Sequence, residues 1–224
     1  MTENDKNIWD AAYSEEYDGL SELPTWEILT EDQFKQLSKG TKALPSMAIA
    51  TIKYVAFNRP KRAKYRIVVI GNHDYHTWSK DATAAPVMSQ LELRFLTAFA
   101  ISQKRVLKNC DIKQAFVQST IPEHEHYFVR PPKGCPRSSP GTYWRLIRSL
   151  YGLRRAPKLW YDKLSSFLRS LGLRQSTTSP CIFIGHLIKG GLPIYLLLFS
   201  APYPKMRTAE AELLSPSLSF NCFH

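Results

Sequence analysis

Residues 157–171 constrain the fold more than any other stretch of the chain. Trp160, Leu164, Phe167, Leu168 and Leu171 recur three and four apart, which gathers them in one stripe on a helix and would scatter them on a strand. Pro157 suits a first helical turn, and Gly172 can take the left-handed backbone that ends a helix. A helix with one apolar stripe must bury it against another layer, so the rest of the chain has to supply matching faces.

Those faces are legible. Residues 49–57 and 64–70 predict two strands joined by the basic turn Asn58-Arg59-Pro60-Lys61-Arg62. The second, KYRIVVI, alternates poorly but is β-branched, as in a strand covered on both faces. Residues 90–103 predict a helix, with Leu91, Phe95 and Phe99 four apart and Leu96 beside them. Residues 105–110 read as a strand with Asp111 near its end, and 127–130 and 142–147 as short strands around a Pro/Gly loop. Residues 181–188 and 194–199 read as strands joined by Lys189-Gly190-Gly191-Leu192-Pro193, a hairpin signal. Thr30-Glu31-Asp32-Gln33 is a capping-box helix start, running to about Leu37. The class is α+β. The chain divides into three segments: an acidic N-terminal segment and linker (1–45), a folded domain (46–199), and a tail (200–224) with Pro202, Pro204 and Pro216 and no strand period, expected to be unstructured or frame-shifted.

The net charge of +11 is uneven: residues 1–40 hold ten acids against three lysines, a net of −7, and the remainder holds 27 basic residues against nine acidic, a net of +18. A basic region of that size attracts a polyanion, and nucleic acid is the first candidate; a soluble basic surface without a dedicated partner is the other. No run approaches the roughly 18–20 apolar residues of a membrane span, and the start lacks a secretory layout. The expected location is intracellular, with cytoplasm and nucleus both open. Cys110, Cys135, Cys181 and Cys222 are too far apart for a local zinc pair and are expected to be free thiols. His73-Asp74-Tyr75-His76 and His124-Glu125-His126 lack the spacing of a closed zinc site and read as polar loops.

Asp111 is the residue most suggestive of chemistry. A carboxylate at a strand end either reaches into a cleft, where it can ligate Mg²⁺, or caps the next turn. Its sequence neighbourhood raises the weight of the first. KYRIVV, APVMSQLELR, DIKQAF, YFVRPPKG, WRLIRSLYGLRRAPKLWYDKL, LGL and SPCIFI occur in this order, and LYGLRRAPKLWY is the most specific. Over residues 9–199 the chain resembles the copia-type retrotransposon reverse transcriptases. The resemblance implies the fingers and palm of a right-hand polymerase, incomplete at the C-terminus, acting on an RNA template, a DNA primer and a deoxynucleoside triphosphate with two Mg²⁺ ions; oligomeric state is left open. It makes Asp111 the first metal-binding carboxylate, with the Ile112 carbonyl as a further oxygen ligand. Lys64 and Arg66 would neutralise the triphosphate, and alternate strand residues share a face. Phe116 would exclude a 2′-hydroxyl, or serve simply as a core aromatic. Tyr151 and Gly152 would lie beside nucleotide and template; Arg154, Arg155 and Lys158 would meet backbone phosphates. Trp160 lies on the apolar stripe and is assigned to the core.

One expected element is missing. The family's Tyr-x-Asp-Asp turn should come directly after a strand like 194–199, but the sequence continues Ser200-Ala201-Pro202-Tyr203, and the only later acids are Glu210 and Glu212. The thumb and ribonuclease H regions expected after the palm are not in the sequence either. The expectations are therefore a catalytically incomplete polymerase domain and an apolar strand edge at 194–199 that favours poor solubility. A non-catalytic nucleic-acid-binding module and a translated remnant are the competing readings.

Overall fold

The computed structural model describes residues 3–55, 59–105, 109–186, 194–197 and 220–223. In chain order the elements are α1 (Glu3–Glu22), β1 (Trp26–Leu29), α2 (Glu31–Ser38), β2 (Ser46–Val55), β3 (Arg59–Val69), α3 (Lys80–Thr83), α4 (Gln90–Ser102) and β4 (Asn109–Ile112). Next come β5 (Phe128–Val129), β6 (Tyr143–Leu146), α5 (Ala156–Ser170), β7 (Arg174–Gln175), β8 (Ile182–Gly185), β9 (Ile194–Leu197) and β10 (Phe220–Phe223). This is an α+β chain, divided into two compact units.

The first unit comprises Met1–Thr83 and Phe116–Leu159. An element the sequence reading did not assign is α1: the acidic segment is a helix that packs into the core. Tyr13, Tyr17 and Leu20 are buried. Tyr13 meets Tyr65 edge-on at 5.2 Å, and Tyr17 meets Trp26 at 5.6 Å. Trp26 stacks on the fully buried Trp144 at 4.3 Å. Trp26 and Trp144 sit on neighbouring strands of an antiparallel sheet ordered β1-β6-β5, and Leu146 lies opposite Trp26. Aromatic pairs in these geometries add about 0.5–1.5 kcal/mol beyond their burial, so they fix α1 against the sheet.

β2 and β3 form a separate antiparallel pair, longer than expected: the basic residues from Arg59 onward are strand, not turn, and 56–58 lie outside the described residues. α2 begins as predicted. The Gln33 N–H donates to Thr30 Oγ1 (3.3 Å) and the Thr30 N–H donates to Gln33 Oε1 (2.9 Å), closing the capping box. Thr30→Ala is expected to cost about 1 kcal/mol in a urea melt; an unchanged midpoint would mean that the box contributes nothing.

The second unit comprises Ala84–Ala115 and Trp160–His224. The α5 stripe packs as its spacing requires: Leu164 and Leu168 are buried with Met88, Leu173, Cys181, Ile182 and Phe183, and Trp160 and Phe167 lie half-buried against them. Gly172 takes φ +84°, as a helix stop should. α4 forms as predicted but presents a different face. Leu93 and Leu96 meet the core, whereas Leu91 and Phe95 are 78% and 67% exposed. Apolar residues occur on more than one side of this helix, so periodicity finds the helix without choosing its buried face. β7, β8 and β9 form one antiparallel sheet in that order, with β9 at its edge; the expected hairpin loop at 189–193 lies outside the described residues. β4 pairs antiparallel with β10, which places Asn221 opposite Asp111. Of the tail, expected to be unstructured or frame-shifted, only 220–223 are described, and they form one strand; 200–219 and 224 lie outside the described residues. Phe220, Cys222 and Phe223 are apolar enough for it, a signal outweighed in the sequence by the upstream prolines.

Candidate nucleotide and nucleic-acid site

The β2–β3 register puts four cations on one face. Arg66 lies opposite Ile49, Lys64 opposite Thr51 and Arg62 opposite Lys53. Side chains alternate along a strand, so Arg62, Lys64 and Arg66 share a face, with Lys53 across from Arg62. Like charges directly opposite, as at Lys53 and Arg62, are destabilising, so an anion at this face would be attracted. Burial, with Arg66 and Lys53 nearby, lowers the Lys64 pKa; Glu16 partly offsets this. The other face of β3 carries Tyr65, Ile67 and Val69 into the core.

This cationic row ends at the turn holding Tyr151 and Gly152. The Val69 N–H donates to the Tyr151 carbonyl (2.7 Å). Gly152 has φ +89°, and a Cβ there would lie 1.9 Å from Val69 O and 2.8 Å from Val68 Cγ1. Only glycine lets this turn approach so closely. The Phe116 ring meets Tyr151 edge-on at 5.7 Å. Five of the residues singled out in the sequence (Lys64, Arg66, Phe116, Tyr151 and Gly152) therefore lie in the first unit, linked by the strand row, the Val69–Tyr151 bond and a ring contact.

The basic block after the turn divides. Arg154 is exposed and Lys158 half-buried near the start of α5. Arg155 departs from expectation. Its guanidinium pairs with Glu125 at 3.0 Å, the two side chains being 16% and 4% exposed, and lies over Trp78 at 4.5 Å. Glu125 is too buried to go uncompensated, so Arg155 is committed to it rather than turned to a phosphate. The two histidine-containing loops set aside in the sequence meet here. Tyr75 Oη donates to the His126 carbonyl (2.9 Å), and the His76 ring lies 4.7 Å from that of Tyr127. Asp74, with no exposed side-chain surface, contacts His76 Nδ1 (2.7 Å) and accepts from Trp78 Nε1 (3.0 Å). Burial, followed by Asp74 and Glu125, raises the Tyr127 pKa. Arg155→Ala should cost about 3 kcal/mol by leaving Glu125 unpaired. Arg155→Lys should restore only part, since lysine lacks the planar stacking group. A denaturant midpoint unchanged in Arg155→Ala would refute the buried pair.

Asp111 and Ile112 lie on β4 in the second unit. Among the described residues no group of three or more His, Cys, Asp or Glu is gathered to hold a metal ion. A cleft of about 270 Å³ lined by Phe34, Lys35, Lys42 and Arg130 contains none of the residues singled out in the sequence.

Residues 30–197 match the family model described as reverse transcriptase (RNA-dependent DNA polymerase). The chain belongs to this reverse transcriptase family. It is similar to the Retrovirus-related Pol polyprotein from transposon RE1 of Arabidopsis thaliana, 27% identical over 151 residues, which covers 67% of this chain and 10% of that protein. The corresponding polyprotein from transposon TNT 1-94 of Nicotiana tabacum is 26% identical over 197 residues, 88% of this chain and 14% of that protein. The Ty1-MR1 Gag-Pol polyprotein of Saccharomyces cerevisiae is 23% identical over 182 residues, 80% of this chain and 10% of that protein. The chain thus spans a small fraction of these relatives and carries part of a copia-type reverse transcriptase domain. No helix among the described residues of this reverse transcriptase chain is long and apolar enough to cross a membrane.

Two contributors to the first unit of the reverse transcriptase chain escaped the sequence reading. The spacing of Trp9, Tyr13, Tyr17 and Leu20, at four, four and three residues, would have found α1. Asp74, His76 and Trp78 are close in sequence, but Glu125 and Arg155 lie some 50 and 80 positions beyond Asp74, so no local signal joins the two groups.

Proposed function

We propose that this chain is the fingers and palm portion of an RNA-directed DNA polymerase, retaining the nucleotide-binding face without a complete catalytic centre. The observation that carries this is the row Arg62, Lys64 and Arg66 on one face of β3, ending at the Tyr151–Gly152 turn against which Phe116 packs. A triphosphate fits the row, since its charge offsets cations that otherwise repel one another. The Gly152 turn would lie beside base and sugar, and Phe116 would bound the sugar. Arg154 and Lys158 would meet template or primer phosphates, a role from which the Glu125 pair withdraws Arg155.

The family site calls for two Mg²⁺ ions, held in part by Asp111 and the Ile112 carbonyl. Residues of this chain do not complete that set: Asn221, an amide, stands opposite Asp111 on β10, and Ser200-Ala201-Pro202-Tyr203 stands where adjacent aspartates are required. Two-metal chemistry needs several carboxylates to fix both ions, so no catalytic step is assigned to this chain. The nucleotide-binding reading is tested by titrating the purified chain with dTTP in calorimetry. Lys64→Gln/Arg66→Gln should weaken binding at least about tenfold, the loss of two charge-assisted contacts. Equal affinity in this variant and the parent would sink the assignment.

A further inference from the structure

The acidic N-terminal segment has no part in the function just proposed, yet two of its glutamates reach the cationic row. Glu15 Oε1 pairs with Arg62 Nη2 at 3.0 Å. Glu16, one residue on, accepts from the Ile67 backbone N–H and is in electrostatic range of both Lys64 and Arg66. One of its carboxylate oxygens is buried without a hydrogen-bond partner. Elsewhere on α1, Asp18 pairs with Arg137. The acids of α1 are therefore not a uniformly solvated face.

We infer that Glu15 and Glu16 of α1 act as a built-in anion on the Arg62–Lys64–Arg66 row, positioning those side chains and competing with the phosphates of an incoming nucleotide. The inference rests on the proposed nucleotide-binding role of Lys64 and Arg66 and adds what tunes that site. Three features favour competition over simple structural pairing. First, the row holds four cations counting Lys53, more positive charge than the two glutamates neutralise, so a polyanion remains attracted while they are in place. Second, Glu15 and Arg62 are 62% and 52% exposed, and a pair so open to water holds little stability and can be displaced. Third, burial raises the Glu16 pKa and so disfavours its anion, which makes this carboxylate a weak competitor that a phosphate can replace. Aromatic packing of Tyr13 and Tyr17 anchors α1 independently of these charges, which lets the carboxylates yield while the helix stays.

The test uses the whole chain and inorganic tripolyphosphate, titrated by calorimetry at low and high salt, with a thermal melt of each variant. Glu15→Gln/Glu16→Gln is expected to bind about three- to tenfold more tightly at low salt, the scale of one exposed ion pair and a second nearby charge. That gain should shrink at high salt, where such charges are screened. Glutamine keeps the acceptor for the Ile67 N–H, so the variant should melt no lower than the parent; Glu15→Gln alone, at an exposed position, gives a smaller gain and guards against misfolding of the double variant. If Lys64→Gln/Arg66→Gln abolishes binding but the glutamine variants bind like the parent, the competitive role of α1 is refuted and the nucleotide face survives. If binding is indifferent to Lys64→Gln/Arg66→Gln, the nucleotide face itself fails and the role of α1 falls with it.

Discussion

Gly152→Ala is expected to leave the first unit largely unfolded at room temperature. The added Cβ would stand 1.9 Å from the Val69 carbonyl oxygen, 2.8 Å from Val68 Cγ1 and 3.0 Å from the Val69 carbonyl carbon. Two of these are backbone atoms of β3, so no rotamer change can relieve the overlap. The turn must instead withdraw, which breaks the Val69–Tyr151 hydrogen bond and opens the Gly71–Gly152 contact, where the two backbones are already close. An alanine at φ +89° adds about 1–2 kcal/mol of backbone strain on its own. Together these should exceed about 4 kcal/mol, the range reached only by mutations that break packing outright, and a large part of the roughly 5–15 kcal/mol that holds a domain. Gly40→Ala is the control in the same unit. It has the same φ of +89° but nothing within 4 Å of its would-be Cβ, so it should cost only the backbone strain. Circular-dichroism melts of both variants separate the terms. A Gly152→Ala chain as stable as Gly40→Ala would mean that the Tyr151–Gly152 turn does not lie on β3, and the nucleotide face would lose its boundary.

The contrast between these glycines shows what a sequence can carry. Gly172 was readable as a helix stop because that role depends on the residues just before it. The role of Gly152 depends on Val68 and Val69, more than 80 positions away, and only the family resemblance pointed to it. The same division runs through the fold. The capping box at Thr30 and the α5 stripe are local patterns, and both formed as read. The buried face of α4 depends on which neighbours arrive, and there the period misled. α1 was lost for another reason: its acids dominate the composition and hide an aromatic spacing that is itself helical.

In the candidate site, charge was legible and geometry was not. Lys64 and Arg66 on one strand could be expected to share a face, and the register bears out the strand. That Arg155 would turn to Glu125 and Trp78 could not be read, because arginines in a basic block look alike until one finds a buried acid. The two loops read as polar in the sequence are more than solvated loops. They bury Asp74 and Glu125 beneath Trp78, Tyr127 and Arg155, and so brace the block that precedes α5.

With a primed RNA template, dNTPs and Mg²⁺, the purified chain should extend no primer above background, and Asp111→Asn should be indistinguishable from it. In two-metal transfer the ions activate the attacking hydroxyl and stabilise the leaving group, and each needs carboxylates to fix it. Asp111 on β4 is the one such group proposed; its register partner on β10 is Asn221, and the sequence after β9 holds no acid until Glu210. Losing metal stabilisation of several kcal/mol at about 1.36 kcal/mol per tenfold change lowers the rate by on the order of a thousandfold or more. That places extension below the detection of an ordinary gel assay. The nucleotide face proposed at Lys64 and Arg66 does not depend on that centre, so the same preparation should bind dTTP while failing to polymerise it. Extension by the parent chain that Asp111→Asn removes would overturn this, because it would require a second set of carboxylates that neither the sequence after β9 nor the strand opposite Asp111 provides. Failure of both binding and extension in a chain that melts cooperatively would instead remove the nucleotide face and leave only the family membership.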